Sequence, residues 1–237
     1  MHKTPYHIIA SRVIPPFFFL LLIIFMIAMK KPDKGPLPVG YTYLALGDSY
    51  TIGEQVEAKE NFPNQVTAIL KENGIVFSSP AIIAQTGWTT DELQLAIQKA
   101  NLRQRYDFVT LLIGVNNQYR GRKVEDYIPE FEALLKQAIQ FAGNDASHVI
   151  VLSIPDWGVT PFASNRDAKQ IAKEIDEYNE AGERIARAHK AHYINITEST
   201  REAIKDASLL TLDGLHPSGK EYKLWAEAIA SFIKSKT

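Results

Sequence analysis

No cysteine occurs in the 237 residues. That excludes disulfides, thiolate metal sites, a cysteine nucleophile and a lipid-modified cysteine near the N-terminus. An excess of one charge sign is missing too. The formal net charge is −1, so no basic surface is offered to nucleic acid, and none is expected as a partner. The phosphate-cradling patterns G-x-x-x-x-G-K-[ST] and G-x-G-x-x-G are absent, and Ser218-Gly219-Lys220 reads as helix-start chemistry. Neither HExxH nor a His/Asp cluster at ligand spacing occurs, so no metal or other cofactor is expected. There is no internal repeat and no low-complexity tract. Charged residues make up 22% of the chain, an ordinary globular share that argues against broad disorder.

Long hydrophobic runs are almost absent, and the exception lies near the start. Phe17 to Met29 is uncharged and apolar, preceded by Lys3, Arg12 and Pro15-Pro16 and closed by Lys30-Lys31. As a helix this run spans about 20 Å, short of the roughly 30 Å hydrocarbon core of a bilayer. The pattern fits a signal h-region, while Met26-Ile27-Ala28 makes a poor cleavage site. Residues 1–31 are therefore expected to be a signal or membrane-anchor segment, placing the protein outside the membrane or anchored at the cell envelope. Translation starting at Met26 or Met29 would instead leave it cytoplasmic. Residues 32–40, rich in proline and glycine, read as a linker. Beyond residue 34 the chain carries 21 basic against 26 acidic groups, a formal −5 that does not favour anionic lipid.

From residue 41 to 237 strand and helix patterns alternate. Apolar runs at Tyr41–Leu46, Phe108–Ile113 and Val149–Ile154 read as strands buried on both faces. Ile75–Ile83 is a weaker strand interrupted by Ser78-Ser79-Pro80, and Tyr193–Ile196 a short fifth one. Asn61 caps a helix that runs to Asn73, with Pro63 in its first turn and Gly74 after its end. Thr89 and Glu92 have capping-box spacing, and so do Ser218 and Glu221. Helical periodicity covers Val124–Phe141, Ala168–His189 and a final helix with Tyr222, Trp225, Ile229, Phe232 and Ile233 as its buried stripe. Five strands alternating with helices predict one α/β domain with a parallel sheet covered on both faces.

Ligands of such sheets bind beyond the carboxyl ends of the strands. There the chain places Gly47-Asp48-Ser49, Gln85-Thr86-Gly87, Gly114-Val115-Asn116-Asn117, Pro155-Asp156-Trp157-Gly158 and the stretch holding Asp213 and His216. A serine hydroxyl becomes a useful nucleophile when a histidine takes its proton and a third group orients that histidine. His216 is the best placed of the six histidines: His2 and His7 lie in the N-terminal segment, His148 opens a strand at the far edge, and His189 and His192 sit at the end of a polar helix. Asp213, three residues earlier, reaches its second ring nitrogen. D-x-x-H alone is a weak signal, better read as a solvated capping loop. The Ser49 N–H, Gly87 N–H and Asn116 amide add donors for a developing oxyanion. Four coincidences on one sheet edge outweigh four separate loop explanations. Asn117, Tyr119 and Arg120 are candidates for one border of a substrate pocket, and Trp157 and Phe162 for its other wall. A loop packed on the surface is the alternative reading for these five. The nucleophile elbow G-x-S-x-G is absent, since position 51 is threonine.

Gly47-Asp48-Ser49, Gly87, Gly114-x-Asn116 and Asp213-x-x-His216 resemble, in order, the four blocks of the SGNH hydrolases, also called the GDSL esterase/lipase family. The likeness runs from residue 41 to about 225. It implies a three-layer α/β/α, flavodoxin-like fold around a five-stranded parallel sheet. It also implies Ser49 as nucleophile, His216 as base, Asp213 as its orienting partner, and Ser49, Gly87 and Asn116 as the oxyanion hole. Two positions depart from the family pattern: Asn117 stands where aspartate often follows the block-three asparagine, and Tyr50 where leucine follows GDS. The expected function is hydrolysis of acyl or acetyl esters of small-molecule, lipid or carbohydrate type through an acyl-serine. An O-acyltransferase using the same intermediate, or a non-catalytic binding module, are the alternatives.

Overall fold

The structure, a computed structural model, describes residues 40–237. The N-terminal segment and all but the last residue of the linker lie outside the described residues. Among the described residues no helix is long and apolar enough to cross a membrane.

Five parallel strands form one sheet: β1 (Tyr43–Gly47), β2 (Ala81–Ala84), β3 (Phe108–Leu112), β4 (Val149–Leu152) and β5 (His192–Ile194). Their spatial order is β2-β1-β3-β4-β5, the flavodoxin-like arrangement. Every residue of β1, β3 and β4 is buried, as their unbroken apolar runs require, while the edge strands β2 and β5 are half-buried. In register, Ala45 lies between Ile82 and Thr110. Thr110 is the polar residue inside β3, and its hydroxyl is satisfied by the Tyr43 hydroxyl at 2.9 Å.

The principal helices are α1 (Ser49–Ile52), α2 (Phe62–Glu72), α3 (Thr90–Lys99), α4 (Val115–Tyr119), α5 (Val124–Phe141), α6 (Ala168–Ala188), α7 (Thr197–Arg201) and α8 (Gly219–Lys234). Right-handed crossovers decide their faces. The step from β1 outward to β2 sends α2 to one side; the reversed steps to β3, β4 and β5 send α3, α5 and α6 to the other. Accordingly α2 packs against α8, and α5 packs against both α3 and α6. Between α2 and α8 the rings of Phe62, Tyr222 and Trp225 meet at 5.1–6.4 Å between centroids. The opposite layer centres on Tyr127, whose ring lies 4.7 Å from Tyr178 and 5.1 Å from Phe131. This is the expected three-layer α/β/α sandwich.

Local expectations fare unevenly. Asn61 caps α2 by accepting from the Asn64 N–H, and Thr89 and Glu92 form their capping box. Ser218 and Glu221 do not. The Ser218 hydroxyl donates to the Ser208 carbonyl, and Glu221 turns inward to accept from Ser199 and Trp225. The weak strand contracts to Ala81–Ala84. Upstream of it, Phe77 makes only an isolated bridge to Tyr41, because Ser78-Ser79-Pro80 breaks the ladder. His192 belongs to β5 rather than to the end of the preceding helix.

Candidate active site

Where β1 ends, the chain turns straight into α1. Gly47 permits that turn: a Cβ there would lie 2.1 Å from Thr51 Oγ1 and 2.5 Å from the Leu112 carbonyl oxygen. Asp48 caps α1, its Oδ1 accepting from the Tyr50 N–H at 3.0 Å. Ser49 is thereby fixed at the first helical position and is buried to 3% exposure at the floor of a cleft. Its location is the crevice between β1 and β3, where the strand order reverses direction and where ligands of such sheets bind.

Across the cleft, residues 211–216 close on themselves. The Thr211 N–H donates to the His216 carbonyl at 2.8 Å, and Gly214, at a φ of 66°, completes the turn. Asp213 anchors it. Its Oδ1 accepts from the Leu215 N–H, the His216 N–H and the Thr211 hydroxyl at 2.7–3.0 Å. Its Oδ2 meets His216 Nδ1 at 2.6 Å. Partial burial pushes this carboxyl up, but the donors from His216, Thr211 and Leu215 outweigh it and hold the pKa down at about 2. An Asp213 ionised at neutral pH favours the His216 tautomer whose Nδ1 carries the proton. Nε2 is left with a free lone pair. The imidazole packs on Tyr50, with ring centroids 5.2 Å apart.

The loop after β2 and helix α4 supply the polar rim. Gly87 has a φ of 84°, a conformation that suits glycine, and the Arg120 guanidinium donates to its carbonyl at 2.7 Å. Arg120 is itself paired with Glu92 at 3.2 Å. Asn116 ties the loops together, its Nδ2 donating to the Trp88 carbonyl at 3.0 Å and to Asp48 Oδ2 at 3.3 Å. Asp48 is fully buried, and burial pushes its carboxyl up to about 7 despite the Tyr50 N–H and Asn116 donors.

Ser49, Gly87, Asn116 and His216 line one pocket of about 140 Å³, whose apolar side is made by Tyr50, Tyr119, Trp157, Phe162 and Leu215. Asp213 stands behind His216. Two expected pocket residues are placed otherwise. Asn117 is fully buried, accepting from the Thr90 N–H at 3.1 Å and donating to the Thr90 hydroxyl at 2.7 Å, so its amide pins α3 to α4. Arg120 buttresses Gly87 from outside the lining. Tyr50, Val115 and Leu215 line the pocket although the sequence did not mark them as pocket residues. Their sequence signal is adjacency: each directly follows or precedes a residue of the four blocks. Among the described residues no three His, Asp or Glu side chains gather as a metal ion would require.

Residues 45–224 match the model of the GDSL-like lipase/acylhydrolase family. The chain belongs to this family. It is accordingly a hydrolase of ester bonds. No curated protein sequence matches it. Solved structures that it resembles include an acetylxylan esterase from Geobacillus stearothermophilus, at 18% identity and a TM-score of 0.64, covering 82% of this chain and 94% of that one. A lipase/acylhydrolase from Enterococcus faecalis shares 23% identity at a TM-score of 0.61, covering 83% and 96%. A psychrotrophic esterase from Pseudoalteromonas, solved in a form inhibited by monoethylphosphonate, shares 17% at a TM-score of 0.60, covering 82% and 97%. At these identities the likeness establishes the fold: the sandwich around a parallel sheet is that of GDSL esterases.

Proposed function

We propose that this GDSL-family hydrolase cleaves acyl or acetyl esters of small-molecule, lipid or carbohydrate alcohols through an acyl-serine intermediate. Ser49 is the nucleophile, His216 the base and Asp213 its orienting carboxylate. The observation that carries the reading is the 2.6 Å contact between Asp213 Oδ2 and His216 Nδ1, with the His216 ring in the same pocket as Ser49. In the first step His216 Nε2 takes the Ser49 hydroxyl proton while Oγ bonds to the ester carbonyl carbon. The carbonyl π electrons move onto oxygen. As the tetrahedral intermediate collapses, the C–O bond to the alcohol breaks, and the imidazolium returns its proton to the leaving alkoxide. Water repeats the sequence on the acyl-serine and releases the acid.

The oxyanion is held by the N–H groups of Ser49 and Gly87 and by Asn116 Nδ2. In the resting site both Nδ2 hydrogens have partners. The longer bond, to Asp48 at 3.3 Å, is the one that yields to the oxyanion. The N-terminal apolar run supports export or retention at the envelope, where residues 17–29 hold the enzyme to the membrane.

The test is hydrolysis of p-nitrophenyl esters from acetate to long chains by the wild type and by Ser49→Ala. Turnover by the wild type with loss of at least about 10³-fold in the variant is expected. Equal rates in both proteins would remove Ser49 from its role, and no turnover of any ester would remove the proposal.

A further inference from the structure

The loop that carries Gly87 has little packing to hold it. Gln85 and Thr86 are exposed, and a Cβ placed on Gly87 would meet only Arg120 Nη2, at 3.8 Å. A glycine at a φ of 84° with open space around it has no intrinsic reason to keep one backbone orientation. Yet its N–H is one of the donors assigned above to the oxyanion, and among the described residues it donates to no protein acceptor. The loop is fixed instead by side-chain tethers, one to each residue from 86 to 89. The Thr86 hydroxyl donates to Glu54, and the Gly87 carbonyl accepts from Arg120 at 2.7 Å. The Trp88 carbonyl accepts from Asn116 at 3.0 Å, and the Thr89 N–H donates to Glu92 at 2.9 Å.

Two of these tethers come from one helix. Asn116 and Arg120 stand four residues apart at α4, where the Arg120 N–H donates to the Asn116 carbonyl at 3.1 Å, so their side chains leave the same face one turn apart. They take hold of adjacent carbonyls of the loop, those of Trp88 and Gly87. Asn116 is itself an oxyanion donor, so this face of α4 sets the spacing between the two donors that Ser49 does not supply. The Arg120 fork is in turn held by Glu92, Nη2 to Oε2 at 3.2 Å and Nη1 to Oε1 at 3.4 Å, and Glu92 is fixed by the capping box of α3. This ion pair is half-exposed and adds little to folding stability. Its effect falls on geometry.

We propose that Arg120 is a positioning residue of the oxyanion hole: by gripping the Gly87 carbonyl from α4, it holds the Gly87 N–H at the spacing from Asn116 Nδ2 that the tetrahedral oxyanion needs. The proposal rests on the acyl-serine reading above, and it gives Arg120 no contact with the substrate. Donors aimed in advance at developing charge act in the transition state far more than in the ground state. Acylation and deacylation both pass through such an oxyanion, so loosening one donor lowers kcat and leaves KM.

The experiment measures kcat and KM for p-nitrophenyl acetate, together with inhibition by butylboronic acid, whose tetrahedral adduct on serine places an oxygen where the oxyanion forms. Arg120→Met keeps an unbranched stem and removes the donors. It is expected to lower kcat about tenfold or more, to leave KM within about twofold, and to weaken butylboronic acid by a factor comparable to the fall in kcat. Its Tm should fall by less than about 4 °C, as loss of a half-exposed ion pair implies. Arg120→Lys keeps one donor within reach and should lie between the wild type and Arg120→Met. Should Arg120→Met fail to fold, Arg120→Lys carries the same comparison with a smaller expected loss. A kcat for folded Arg120→Met within about twofold of wild type overturns the proposal. So does a loss confined to KM, which would make Arg120 a substrate contact, or unchanged boronic acid inhibition while kcat falls. Each of these leaves the acyl-serine reading intact. Absence of any ester turnover by the wild type removes both.

Discussion

Asp213 commits both carboxylate oxygens to one short turn: Oδ1 to two backbone N–H groups and a hydroxyl, Oδ2 to His216. The first set shapes the turn, and the second orients the imidazole. Asp213→Asn separates the two duties. An amide oxygen still accepts from the turn, whereas an NH₂ facing Nδ1 favours the tautomer whose Nε2 carries the proton. The variant is expected to keep its fold and KM while kcat falls about 10³-fold or more, read by ester hydrolysis and circular dichroism. An unaltered kcat would show that Asp213 serves the turn alone. At this scale the sequence was informative where residues act through their own backbone position, as Ser49 and Asp213 do. It was less informative along α4. Successive helical residues diverge by about 100°, so Asn117 faces Thr90 although Asn116 faces the site. Adjacency could not reveal that rotation.

Helix boundaries were legible where cap and partner lie within one turn of each other. Asn61 accepts from the Asn64 N–H, donates to the Ile52 carbonyl at 3.0 Å, and is 2% exposed. Asn61→Ala therefore loses a cap and the bond to the Ile52 carbonyl. A loss of about 2 kcal/mol is expected in denaturant unfolding, with ester turnover retained at low denaturant. A change below about 0.5 kcal/mol would show the cap to be incidental. The S-x-x-E pattern at Ser218 misled for the converse reason. Glu221 has partners in Ser199, 22 residues away in sequence, and in the buried Trp225, so tertiary contacts outcompeted the local cap. Strand β2 was overextended for a related reason: its apolar letters continue through Phe77, but the pairing does not.

For the whole molecule, the parallel order β2-β1-β3-β4-β5 carries every candidate loop to the carboxyl edge of the sheet. Alternation of strands and helices made that edge readable before any side chain was placed. The burial of Asp48 was not readable, because it depends on parts of the chain remote in sequence, among them Asn116 of α4, whose amide reaches its carboxylate. That burial has a global consequence. A carboxyl raised to about 7 binds its proton more tightly when folded than when unfolded, near 4. The associated stability is present below pH 4 and is lost as pH rises toward 7. Asp48→Asn removes the titration, although its amide now faces the Asn116 amide and adds a pH-independent offset. The difference in Tm, variant minus wild type, is expected to grow by roughly 5 °C or more between pH 4 and pH 8. A flat difference would mean that Asp48 ionises without penalty.

Attack of Ser49 on carbonyl carbon underlies every step proposed for this site. The most direct test is covalent trapping with an alkyl p-nitrophenyl phosphonate, followed by peptide mass spectrometry. One phosphonyl group per chain is expected on the peptide containing Ser49, with loss of activity in step with labelling and no label in Ser49→Ala. Inactivation with the label on another residue, or full activity with no label at all, would contradict it.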